Sequence, residues 1–441
     1  MPTPIIFEGA TIVTCDAGDR VLSGNVWIEA GRIVRVGRFR APAGARVIDA
    51  RDRIVLPGFV MAHVHLCQAL MRGLADDLPL LAWLRERIWP LEAAHDERSL
   101  RASAELGLVE LLGAGTTTIL DLGSVHDYDV VFDACVRAGI RVCGGKSLMD
   151  TGRGVPKRLR ESTRDSIRSA EQLEALWSAH PSGRAHHVWI PRFILSCSEA
   201  LVRQAIERGR APGRRFHTHA SEHPGERAAV RQIHGADDVD VLRRWGMAGP
   251  WASIAHGVQL TPRQMRRLGA DGTRVVHCPS ANLKLGSGVA KVAALRAAGV
   301  VVGLGPDGAP CNNNLDPWLE MRHAALLSSW VAGPGALPAR DVLRLATIDG
   351  ARTLGLDEEV GSVEAGKAAD LVVVRRSGAH LAPALDPIAT LVYGAQSRDV
   401  EHVLVGGRFV VRSGELLTLD SESVVASARR EAPRLLRRAG V

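Results

Sequence analysis

The 441-residue chain contains no apolar stretch of about 18 residues, the length a helix needs to cross a bilayer, so no membrane span is expected. Its opening, "MPTPIIFEGATIVT", lacks the basic segment and apolar core of a secretory signal. The seven cysteines are an odd number with no CxxC pair. That is a poor disulfide framework and fits a reduced cytoplasm. Aromatic residues make up only 4%, lysine is rare, and the net charge of +7 comes almost wholly from arginine. The arginines are spread along the chain, apart from "SARREAPRLLRRAG" near the C-terminus. A nucleic-acid binder usually gathers its cations on one element with aromatics between them. No nucleic-acid partner is therefore expected, and the basic tail reads as a solvated helix face. No G-x-G-x-x-G follows a first strand, which argues against a doubly wound dinucleotide-binding sheet. Short-period repeats and low-complexity linkers are absent as well.

What is present is an ordinary globular composition, 46% hydrophobic and 23% charged, in a chain long enough for two or three domains. The first 56 residues alternate in short β-like runs, "TIVTCD", "NVWIEAGRIVRVG" and "ARVIDARDRIVLP", broken by turn residues. The pattern returns after about residue 355 in "VGSVEAGKAADLVVV" and "VEHVLVGGRFVV". Residues 1–56 and 356–415 are expected to form one small β-sandwich domain, with a helical segment at 416–441. Between them, over 57–355, eight strand-like runs alternate with helical stretches. They are "LPGFVMAHVH", "GTTTILDL", "RVCGGKSL", "HHVWIPRFIL", "RRFHTHAS", "ASIAHGV", "TRVVHCPS" and "VVVGLGPDG". Amphipathic helices such as 99–115 and 199–209 sit between them. The expected class is α/β, a (β/α)8 barrel.

In "PGFVMAHVHLCQ" two histidines are separated by one valine. Side chains alternate along a strand, so His63 and His65 face the same way. Barrel active sites form where strands end, and the candidate strand ends carry His63 and His65, His219, His256 and Asp307. Taken singly, each reads as an ordinary polar residue at a strand end. Jointly they place nitrogen and oxygen donors from four strands on one rim. Imidazole and carboxylate without thiolate suit zinc or another borderline first-row ion. A bound zinc ion lowers the pKa of its water from about 15.7 towards 7.

These pieces, with "HTHASE", "AHGV", "HCPSANLKLGSG", "GLGPDGAPCNNNLD" and "GSVEAGKAADLVVV", resemble the deaminase and chlorohydrolase branch of the amidohydrolase superfamily over nearly the whole chain. The resemblance implies that His63, His65, His219 and Asp307 hold one metal, zinc most often and iron in some members. His217, which shares a strand face with His219, would stand behind the ligands. Glu222 would shuttle protons, His256 would orient the attacking water, and Asp307 would accept the water's proton. The same division of labour, with a glutamate that is not a ligand moving protons, occurs in zinc nucleobase deaminases of another fold.

For the substrate the resemblance points two ways. Gln68 and Arg192 match guanine deaminases, where they would meet the base. "DDLPLLAWLRERIWPLE" and "GAPCNNNLDPWLEMRHAAL" resemble the adenosine-type branch. There Trp83 would cover the pocket and Glu92 would receive ribose hydroxyls, while Lys146 and Arg158 would grip a carboxylate. The expected function is a metal-dependent aminohydrolase acting on an amino-purine. An adenosine-type nucleoside (5'-deoxyadenosine, methylthioadenosine or S-adenosylhomocysteine) comes first; a guanine-type base, 8-oxoguanine or pterin, and then an s-triazine, are the alternatives. Partners would be this small molecule, water and further copies of the chain. An inactive scaffold would not need the complete ligand set, and two-metal lactam hydrolases usually carry a bridging lysine on strand four, which "HHVWIPRFIL" lacks.

Overall fold

A computed structural model describes residues 3–441; residues 1 and 2, the start of the expected first segment, lie outside it. The central apolar runs fold as parallel strands. In chain order they are Phe59–His65, Thr116–Leu122, Arg141–Gly145, Ala185–His187, Phe216–Ala220, Ala252–His256, Arg274–His277 and Val302–Leu304. The first two are buried at every position. Helices outside and packed side chains inside leave such strands no solvent face.

Neighbours in the sheet run fourth, third, second, first, eighth, seventh, sixth, fifth. The circle closes between fourth and fifth, where Trp189 bridges Phe216 in parallel. There the Trp189 N–H donates to the Arg215 carbonyl (2.9 Å) and the His217 N–H donates to the Trp189 carbonyl (3.0 Å). The expected (β/α)8 barrel is therefore present. Several of its helices start on side-chain caps. Asp96 accepts from the Ser99 N–H at the head of Glu97–Gly113, two residues before the expected start, and Ser198 caps Glu199–Gly209.

Strands from both chain ends join one nine-stranded sheet, in which Arg53–Pro57 pairs antiparallel with Leu371–Arg375. Phe7, Val26, Ile33, Val55, Leu371 and Leu404 meet in its core, which makes the small β-sandwich. Arg141, on the third barrel strand, welds sandwich to barrel: its Nε lies 3.2 Å from Asp370 Oδ2 and its Nη1 2.9 Å from Glu359 Oε1.

The basic tail is only half as expected. Helix Ser421–Ala439 buries Val424, Ala428, Glu431 and Leu435 and packs against Glu97–Gly113. Only its arginine-rich side meets solvent, and even Arg438 turns inward to donate to the Ala94 carbonyl (2.8 Å). Among the described residues no helix is long and apolar enough to cross a membrane.

Arg141 and Asp370 are both buried, and removing one partner of a buried pair strands the other charge. Arg141→Ala should lower stability by about 3–5 kcal/mol in urea unfolding. A loss no larger than the ~1 kcal/mol of a surface pair would mean that this contact does not join the two units.

Candidate active site

The first, fifth and eighth strands deliver His63, His65, His219 and Asp307 to one point, with one ligand atom from each within 4.8 Å of all the others. Asp307 Oδ1 lies 3.3 Å from His63 Nε2 and 3.2 Å from His65 Nε2, and His65 Nε2 lies 3.2 Å from His219 Nε2. Three of the six donor spacings are thus close to those of ligands sharing one zinc at 2.0–2.1 Å, and the whole set is compact enough to hold a single ion.

The rings are aimed by their other nitrogens. His65 Nδ1 meets the Leu122 carbonyl (2.7 Å), His219 Nδ1 the Arg192 carbonyl (2.8 Å) and His63 Nδ1 the Nε2 of His217 (2.9 Å). Each Nε2 is thereby left for the centre, and that of His63 is buried with no hydrogen-bond partner. Burial lowers His63 to about 4 and takes His219 well below the usual histidine range. Burial also pushes the Asp307 carboxyl up, but the His63 and His65 imidazoles close against it outweigh that and hold the group well below the carboxylate range. Neutral imidazole and ionised carboxylate are the forms that bind a metal.

The backbone pays for this convergence. Ser221, His256 and Asp307 have φ of 56°, 76° and 63°, in the left-handed region. Such residues cost of order 1–3 kcal/mol each and persist where the surroundings over-determine them. Gly305 is required by close approach to backbone, and Gly308 makes room for the Gln68 amide. A Cβ on Gly305 would sit 2.6 Å from the His63 carbonyl, and one on Gly308 2.0 Å from Gln68 Oε1.

Glu222 and His256 face the same centre, with Glu222 Oε2 3.4 Å from His256 Nε2. Asn282 Oδ1 lies 2.9 Å from His256 Nδ1; it accepts that N–H, which leaves the Nε2 lone pair towards the cavity. Burial, then the nearby Asp307 and Glu226 charges, push the Glu222 carboxyl well above its ordinary range. Its segment is clamped from behind. The Glu222 N–H donates to Glu226 Oε2 (3.0 Å), while the Ser221 N–H and hydroxyl donate to Asp238 (2.5 and 2.8 Å). Burial raises the carboxyls of both Glu226 and Asp238.

Above the centre is a narrow cavity of about 30 Å³. Leu80, Trp83, Leu84, Phe193 and Leu285 supply its apolar wall, and Gln68 and Arg192 line it beside the ligands. Glu92 stands behind that wall. Its oxygens accept from both terminal nitrogens of Arg192 (2.5 and 3.0 Å) and from Gln68 Nε2 (2.8 Å). Three donors thus occupy a carboxylate with about four acceptor sites, and Glu92, expected to receive ribose hydroxyls, does not itself line the cavity.

Lys146 and Arg158, expected to grip a carboxylate, do not line the cavity either. The Lys146 ammonium is buried on Glu161 (2.6 Å) and Ser169 (2.6 Å), and Arg158 donates to the His95 carbonyl (3.0 Å) beside a separate surface groove. Asn282, Glu226, Asp238, Phe193 and Leu285 were not singled out from the sequence. Asn282 and Leu285 stand in the quoted "HCPSANLKLGSG" and Phe193 in "HHVWIPRFIL", whereas Glu226 and Asp238 had no signal there.

Residues 54–410 match the family model described as "Amidohydrolase family". The chain belongs to the amidohydrolase family. This amidohydrolase is 37% identical over 428 residues to a 5-methylthioadenosine/S-adenosylhomocysteine deaminase of Halobacterium salinarum, covering 95% of the chain and 96% of that relative. It is 36% identical over 433 residues to a 5'-deoxyadenosine deaminase of Methanothermobacter thermautotrophicus, covering 98% of each. Among solved structures, an adenosine deaminase from Xanthomonas campestris with bound zinc aligns with a TM-score of 0.92 at 31% identity, over 98% of both chains.

Glu226 and Asp238 lie too deep for both to ionise readily, and in this amidohydrolase the folded pair keeps a proton above the ordinary carboxylate range. The unfolded chain releases that proton first, so this pair's contribution to stability falls as pH rises past about 4.5. Glu226→Gln should flatten the decline in melting temperature between about pH 5 and 8. Parallel curves for the two proteins would show that the pair does not titrate in this way.

Proposed function

We propose that this chain is a zinc-dependent aminohydrolase that replaces the exocyclic amine of a purine-like ring with oxygen, releasing ammonia, and that its substrate is an adenosine-type nucleoside. The observation that carries this reading is the four-donor cluster with Glu222 and His256 beside it, under a cavity with apolar faces. Its support on the substrate side is the near-full-length similarity to relatives named for adenosine-type nucleosides.

Nε2 of His63, His65 and His219, with the Asp307 carboxylate, would hold the zinc, or iron in its place. When bound, such an ion acidifies water and polarises the reacting centre. The protein residues do the rest. His256 Nε2 accepts a hydrogen bond from the attacking water and fixes its direction. Asp307 takes the water's proton as oxygen bonds to the ring carbon. Protonated Glu222 gives its proton to the adjacent ring nitrogen, which draws electrons from that carbon. As the C–N bond breaks, the proton held by Asp307 leaves on the amine as ammonia, and the hydroxyl's remaining proton passes to Glu222 as the ring carbonyl forms, restoring its protonated state. The apolar wall with Trp83 and Phe193 encloses the ring and keeps out bulk water.

A second reading, a guanine-type base, 8-oxoguanine or a pterin, is favoured by the polar wall. Glu92 is already paired, and Gln68 Oε1 is a buried acceptor without a partner. A ring N–H beside a carbonyl would satisfy that acceptor and meet the guanidinium of Arg192. All seven cysteines are free and buried, which supports a reducing, cytoplasmic setting.

Ammonia release measured over adenosine, 5'-deoxyadenosine, methylthioadenosine, S-adenosylhomocysteine, guanine, 8-oxoguanine, isoxanthopterin and melamine decides between the readings, and turnover of none rejects both. Glu222→Gln should retain metal and lose turnover by about 10²-fold or more; full activity would exclude the proton-transfer role. Asp307→Ala should lower metal content and rate together. Arg192→Ala should harm bases bearing a carbonyl more than nucleosides under the second reading, and an equal loss on every substrate would remove the case for direct base recognition.

A further inference from the structure

We infer that His217 is a positioning residue for the metal centre, fixing which nitrogen of His63 is free to ligate. The inference rests on the metal reading proposed above. His217 lies two residues before His219 on the fifth strand, so both side chains point into the barrel. It is fully buried, with Nε2 2.9 Å from His63 Nδ1 and Nδ1 2.8 Å from Ser253 Oγ on the sixth strand. The Ser253 hydroxyl in turn reaches towards the Phe216 carbonyl at 3.5 Å.

A neutral imidazole has one donor and one acceptor nitrogen. To ligate through Nε2, His63 must carry its proton on Nδ1, where its partner is His217 Nε2. His217 must then accept there and carry its own proton on Nδ1, donating to Ser253. One assignment thus runs from Phe216 through Ser253 and His217 to the ligand.

The other two histidine ligands face backbone carbonyls, which can only accept, so their tautomers are settled without help. His63 depends on a side chain that can play either part. Reversing the relay, with Ser253 donating to His217 and His217 to His63, moves the His63 proton to Nε2. There it faces Asp307 Oδ1 at 3.3 Å. The same three side chains therefore offer a metal-free arrangement, reached without any change of net charge. Loading the ion requires the relay to turn.

The test is zinc affinity of the metal-stripped protein, measured by competition with a chromophoric chelator, beside its far-UV circular dichroism and melting curve. His217→Leu, which cannot accept, should weaken zinc binding by roughly 10- to 100-fold, the usual effect of losing a ligand's outer partner. His217→Gln, whose amide oxygen can accept from His63, should recover most of that loss. Ser253→Ala should weaken binding less than His217→Leu, since His217 keeps its contact with His63. If His217→Leu binds zinc as tightly as the unaltered protein, or His217→Gln binds as weakly as His217→Leu, the relay is wrong while the metal site stands. If the unaltered protein takes up no zinc, the metal reading itself fails and the relay with it.

Discussion

Three imidazoles pressed against a carboxylate in a water-poor barrel mouth can ligate a metal in only one distribution of protons, and the groups around them decide whether it forms. A buried polar nitrogen without a partner costs free energy, and one with the wrong partner costs the ligand. The barrel solves this with its own register. The second strand ends with the Leu122 carbonyl where His65 needs an acceptor, and the Arg192 carbonyl does the same for His219. The abrupt left-handed turns at Ser221, His256 and Asp307 follow from the same demand, because a strand continuing straight would carry its terminal side chain past the centre.

Arg192 ties this machinery to recognition. Its carbonyl orients a candidate ligand, and its guanidinium, already paired with Glu92, forms part of the cavity wall. A buried bidentate pair of this kind holds its geometry before any substrate arrives, so little reorganisation is left for binding. The opposite side, with Glu222, His256 and Asp307, is where protons move. The two functions share one cavity yet draw on separate side chains, which lets the wall vary without disturbing the centre.

Much of this was legible in the chain because period-two spacing and strand-end position are local signals. His63 and His65 on one face, and donors at the ends of separate apolar runs, need only the alternation of a strand. What stayed hidden depends on contacts between distant segments. Nothing near Glu92 announces that Arg192, far along the chain, will occupy it. Lys146 stands at the end of the third strand and Arg158 in a short helical turn, and neither position announces its partner, since Glu161 and the His95 carbonyl are ordinary residues in sequence. The basic tail misled for another reason. Its arginines mask a helical stripe of Val424, Ala428 and Leu435, which the burial of one face reveals.

The sandwich built from both chain ends has a bearing on how the molecule comes off the ribosome. Strand Arg53–Pro57 lies between Ile5–Val13 and Leu371–Arg375. The early strands therefore emerge long before the segment that seals their open edge, while the barrel residues are still being made. Until then that edge is a template for misplaced pairing, the hazard of late-closing β-structure. Vectorial synthesis thus leaves the nascent amino-terminal hairpins waiting for the last part of translation, and whatever shields them in that interval becomes part of the route to the native state.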